Sequence, residues 1–96
     1  MSPLNKKKLN SLRLKLDKLD NDLLILIKKR SNLVNDVLKV KIHKKEIIDQ
    51  KRINFILKKI KKRSIRLRID PKITYRIWKN MIWSFIDYEK RNFNKK

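Results

Sequence analysis

From Leu9 onward, apolar residues fall at positions 9, 12, 16, 19, 23 and 26, resume at 33 and 37, and end at 40. Alternating steps of three and four keep them on one stripe of an α-helix, because residues at those intervals share a face. No glycine or internal proline interrupts the stretch from about Leu4 to Lys41, and Pro3 is tolerated in a first turn. The pattern predicts one helix of nearly 40 residues, roughly 55 Å long at the usual rise. That exceeds the width of a compact domain of this size, so only something equally long could cover the seam.

The segment "IHKKE" predicts a break, followed by a second helix from about Glu46 to Lys62 with apolar positions Ile48, Phe55, Ile56 and Ile60. "RSIRLRIDP" then predicts a connection. Asp70 is a good N-cap and Pro71 suits a first helical position, which opens a third helix to about Phe93. Its apolar face runs through Ile73, Ile77, Trp78, Met81, Ile82, Phe85, Ile86 and Phe93. The expected fold class is all-α, one long helix and two shorter ones in a single domain of residues 1–96, dimeric, with basic ends at 1–8 and 90–96 that fray.

Composition changes this picture only in part. A chain of 96 residues buries a modest fraction of its surface alone, which again favours a partner copy. The formal charge of +20 invites a nucleic-acid reading, since clustered cations release counterions from phosphate backbones. Yet the chain holds 21 Lys, 14 Ile and 9 Asn with no Gly and no Ala, a bias toward AT-rich codons that explains the charge without a partner. Where single cations sit relative to the apolar pattern is therefore more informative than their number.

Cysteine is absent and His43 is the one histidine, which excludes disulfides, thiol catalysis and zinc-thiolate sites and leaves no histidine cluster for a metal. The longest apolar run, "LLILI", is far too short to span a bilayer, and "MSPLNKKKLN" lacks a signal peptide's apolar region. A cytoplasmic protein with no membrane partner is expected.

One residue breaks the long seam. Arg30 stands between Leu26 and Leu33, and its helical neighbours Leu26, Ile27, Leu33 and Val34 offer no carboxylate. A guanidinium in an apolar seam is costly unless paired, so an anion should arrive from elsewhere; the plainer alternative is a polar residue that sets coiled-coil register. Lys41 follows eleven residues later, which on a helix is within roughly 20° of Arg30 and about 16 Å along the axis. Two long side chains could grip one small anion between them. Arg13 lies about 25 Å before Arg30 and about 100° around the helix, out of reach in one chain. It could serve such a site only across an antiparallel dimer, and otherwise pairs with Asp17 one turn on.

Further along, Asp49 and Arg52 border the apolar face of the second helix, either as a local ion pair or as part of a site. Glu89 continues the stripe of Trp78, Ile82, Phe85 and Ile86, with Phe85 and Phe93 four residues to either side. An acid among aromatics is either neutral and able to donate a hydrogen bond, or ionised against one of the many lysines.

The string "LRLKLDKLDNDLLILIKKRSNLVNDVLKVK", with Arg13, Arg30 and Lys41 at intervals of 17 and 11, resembles the first helix of the all-helical chorismate mutase family. "DQKRINFILKKI" fits that family's D-x-x-R second helix, and "IDPKITYRIWKNMIWSFIDYE" looks like its third; the resemblance spans residues 9–89. It implies an intertwined homodimer of three-helix subunits whose two sites each take one arginine from the other subunit. It also implies roles by position. Arg13 of the partner copy and Arg30 would hold the two carboxylates of chorismate, Lys41 a carboxylate and the ether oxygen, and Arg52 the carboxylate side. Asp49 would sit by the ring hydroxyl and Glu89 would bond the ether oxygen.

Two positions depart from the family pattern. Ile53 stands where many members have a hydroxyl-binding glutamate, and Phe85 where many have a carboxylate-binding serine, with Ser84 beside it. The interval from Lys41 to Asp49 is also a residue short. The related reaction of the same fold, isochorismate pyruvate-lyase, thus stays open.

The implied chemistry is a unimolecular rearrangement of chorismate to prephenate, which requires no nucleophile, metal or cofactor. A site need only compact the substrate and place positive charge or donors at the ether oxygen. The rival from another class is a basic helical nucleic-acid-binding or scaffolding dimer. It explains the charge but not cations at seam positions with these intervals.

Overall fold

The computed structural model describes residues 1–94. In chain order it comprises α1 (Pro3–Val40), a 3-10 turn (Lys44–Glu46), α2 (Gln50–Arg66) and α3 (Pro71–Asn92), with no strand among the described residues. The all-α expectation of one long and two shorter helices is met. α1 is helical from Pro3 and α3 as far as Asn92, and residues 95 and 96 lie outside the described residues.

Two compact units divide the chain, Met1–Leu33 and Val34–Lys96. The first is helix alone. From Asn10 to Lys29 every residue is exposed, and the seam leucines Leu12, Leu16, Leu19, Leu23 and Leu26 keep more than half of their surface. Each apolar side chain left in water forgoes about 1.5–3 kcal/mol of burial.

The second unit contains the core. Leu38, Ile47, Ile53, Ile82 and Ile86 are buried together, with Ile56, Leu57 and Phe93 packed against them. The face of α2 that turns inward is therefore Ile53, Ile56, Leu57, Ile60 and Ser64, which lie three, four, seven and eleven residues along from the first and so share one side of a helix. This corrects the sequence reading, which put Ile48 and Phe55 on that face; both are exposed. On α3, Ile82 and Ile86 are buried as expected, whereas Ile73 and Ile77 are exposed.

A buried polar link joins the end of α2 to the start of α3. Thr74 Oγ1 and Ser64 Oγ lie 2.7 Å apart, and Ser64 Oγ donates onward to the Ile60 carbonyl at 2.6 Å. Each hydroxyl thus keeps a partner away from water, as buried polar groups must.

Helix boundaries follow local chemistry. Asp49 caps α2 by accepting the Arg52 N–H at 3.0 Å, so the helix opens at Gln50 rather than Glu46. Glu46 instead ends the 3-10 turn and accepts the His43 N–H at 3.1 Å. Asp70 caps α3 by accepting the Lys72 N–H at 2.9 Å with Pro71 in the first turn, as the sequence predicts. α2 also runs on past Lys62 to Arg66. It closes with Arg68 N–H to Ile65 O at 3.1 Å and Ile69 N–H to Ser64 O at 2.9 Å. That bond pair defines a Schellman cap, which requires a left-handed residue, and Arg68 supplies it with φ of 59°.

Candidate functional site

The second unit brings two of the predicted site residues into contact. Lys41 follows the last residue of α1, and Glu89 lies in the last turns of α3. Lys41 Nζ donates to Glu89 Oε1 at 3.2 Å, and the two side chains keep only 16% and 7% of their exposure. The geometry has a plain sequence origin. Ile82, Ile86 and Glu89 follow one another at helical spacing, so the stripe that buries two isoleucines carries the carboxylate under cover with them. Of the two states open to Glu89 in the sequence, this contact is the ion pair, with Lys41 as the lysine.

A charge pair so sheltered is weakly screened by salt, and either member is costly to leave alone. Chemically, it is a cation held at a known place by an anion. An entering anion would meet an ammonium already oriented, which is the property needed to stabilise developing negative charge.

Three of the other four predicted residues of this unit have contacts of their own nearby in sequence. Asp49 is exposed, its carboxylate occupied by the Arg52 N–H as the cap of α2. Arg52 is exposed, with its guanidinium carbon 5.3 Å from the centroid of Phe55. Ser84 is exposed and donates its hydroxyl to the Asn80 carbonyl at 2.7 Å, one turn back on its own helix. Phe85 is half-buried.

In the first unit, Arg13 is exposed among exposed neighbours. Arg30 is half-buried, the one residue between Asn10 and Arg30 that is not exposed. Its seam position is thus distinguished in the structure as well as in the sequence.

Sequence reasoning missed the neighbours of the pair. Tyr88 donates its hydroxyl to Asn35 Oδ1 at 2.8 Å, tying α3 to the end of α1 one residue before Glu89. Both residues also line a small cavity of about 330 Å³ with Leu38 and Phe93. The signal was present only as a tyrosine beside the acid. Its partner lies 53 residues away, and no local pattern links them.

Among the described residues no group of three or more His, Cys, Asp or Glu could hold a metal ion, and no helix is long and apolar enough to cross a membrane.

Comparison with known proteins gives one family. The family model described as chorismate mutase type II matches residues 12–90. No curated protein and no solved structure matches.

Proposed function

The chain belongs to the chorismate mutase type II family, an isomerase family, and from that premise we propose that it converts chorismate to prephenate in a cationic pocket shared by two copies. The observation that carries the proposal is the Lys41–Glu89 contact at 3.2 Å under cover of the core. It supports a site where one ammonium is poised and its counterion is close.

In this reading Arg30 and the partner copy's Arg13 bind the substrate's two carboxylates and hold its enolpyruvyl side chain over the ring. Such restraint makes up part of the catalysis by removing unproductive conformers. Lys41 places positive charge at the ether oxygen, where negative charge grows as the C–O bond breaks and the C–C bond forms. Glu89 positions the Lys41 ammonium beside that oxygen by accepting from Lys41 Nζ. Arg52 serves the carboxylate side from the surface of α2, and Asp49 the ring hydroxyl. Ser84 and Phe85 border the carboxylate.

A second copy is part of the proposal because the seam of α1 is uncovered. Leu12, Leu16, Leu19, Leu23 and Leu26 form an apolar stripe in water, and long exposed stripes of this kind mark association surfaces. An antiparallel α1 would cover the stripe and carry Arg13 toward the partner's Arg30.

The test is product identity. The purified protein is incubated with chorismate and separately with isochorismate, and the products are followed by NMR. Prephenate from chorismate is expected; pyruvate with salicylate from isochorismate alone would make the protein a lyase, and no turnover of either would overturn the proposal. Arg30→Ala and Lys41→Ala should each lower kcat/KM by a factor on the order of a hundred or more while the protein stays dimeric.

A further inference from the structure

A groove between α2 and α3 is lined by none of the residues assigned above to the reaction, and Arg52 alone among them touches its edge, through Phe55. Its volume is about 860 Å³, within the range of sites for small organic ligands. Phe55 and Tyr75 line it together with Lys51, Lys58, Lys61 and Lys72. Among the described residues that line it there is no carboxylate.

The lining is ordered by its own contacts. The Arg52 guanidinium carbon lies 5.3 Å from the Phe55 centroid, and Lys79 Nζ lies 5.5 Å from that of Tyr75. Cations at this distance orient the rings they face. Asn54, also in the lining, accepts from Gln50 Nε2 at 3.0 Å.

We propose that this groove binds a flat aromatic anion, its ring against Phe55 and Tyr75 and its negative group among the four lysines. Charge complementarity selects the occupant. A neutral aromatic would leave the ammonium groups without an anion. A zwitterionic one would bring an ammonium that finds no carboxylate. An anion without a ring would leave about half of each exposed aromatic, 55% of Phe55 and 48% of Tyr75, in water. The field also extends beyond the groove, since smaller cavities on either side add Lys59, Lys62 and Arg63 on α2 and Arg76 and Lys79 on α3. Such a field raises the local concentration of anions and speeds their entry.

Naphthalene-1-sulfonate is the probe, titrated into the full-length protein by calorimetry beside 1-naphthalenemethanol, methanesulfonate and tryptophan. The sulfonate should bind at least about tenfold more tightly than the other three, because only it satisfies both ring and charge. Its amide shift changes should fall in residues 51–61 and 71–75. Lys58→Glu with Lys61→Glu, and separately Tyr75→Ala, should each weaken the probe by about tenfold or more. All these positions are exposed, and chorismate turnover without the probe, together with helical circular dichroism, should match the parent and confirm folding. Equal affinity for the neutral alcohol, unchanged affinity in the charge reversals, or shift changes along the leucines of α1 would each overturn the proposal. So would tighter binding of an oligothymidylate that every surface lysine weakens equally, because that is a delocalised polyanion surface and not a site.

Discussion

Lys41 and Glu89 are coupled in two ways, and the couplings separate by mutation. For stability, each member's charge is tolerable under cover because the other is 3.2 Å away. Lys41→Met strands the Glu89 carboxylate and should cost about 3 kcal/mol, whereas the double variant Lys41→Met with Glu89→Gln should recover most of that loss. For catalysis the double variant recovers nothing, since the ammonium itself is the proposed electrostatic group. Urea unfolding and mutase assays on the single and double variants measure both; a double variant no more stable than Lys41→Met would show the pair to be uncoupled. Ile53 poses a second question at this scale. By the family resemblance it stands where many members have a glutamate, yet it is 5% exposed and part of the five-residue core. Restoring the family residue by Ile53→Glu should therefore destabilise, by about 3 kcal/mol or more, because the charge enters an apolar cluster. A variant that folds as well as the parent and binds chorismate more tightly would show that this position opens onto the pocket.

Among the elements, the cap of α2 explains both what could be read and what could not. Helix starts are legible because their signals are side chains: Asp70 before Pro71 was read correctly, and Asp49 accepts the Arg52 N–H in the same manner although its cap was not recognised. The end of α2 carried no such signal. A Schellman cap is normally announced by glycine, and this chain has none. Arg68 takes the left-handed position at φ of 59°, where its Cβ costs roughly 1–2 kcal/mol. Arg68→Gly should thus raise stability by about 1 kcal/mol after the unfolded chain's extra freedom is counted, seen as a melting point several degrees higher. A lower melting point would mean that the arginine side chain contributes more than its backbone costs. The inward face of α2 was misjudged for a related reason. Ile53, Phe55, Ile56 and Leu57 are all apolar, so local spacing alone does not say which of them turn inward, and Ser64, buried against Thr74 at 2.7 Å, lies beyond the helix end expected at Lys62.

On the scale of the whole molecule, the leucine seam and the arginine within it were the most legible features, since both depend only on spacing along one helix. The Lys41–Glu89 contact joins residues 48 positions apart, so spacing alone could not show it, and only the family resemblance set both at one oxygen. The seam also yields the sharpest test of a shared site. If each site takes Lys41 from one copy and Arg13 from the other, then Arg13→Ala and Lys41→Ala are inactive for different reasons and can rescue each other. In a mixed dimer one site pairs the intact Lys41 of the first chain with the intact Arg13 of the second, while the other site collects both defects. Random reassortment of equal amounts makes half of the dimers mixed, each with one sound site in two, so about a quarter of parental activity should return. The variants are unfolded together in urea, refolded by dilution and assayed for loss of chorismate, with each refolded alone as control. Recovery near that fraction requires Arg13 to act across the interface. A mixture as inactive as its parents would place both residues in one chain's site and remove the reason for an antiparallel α1.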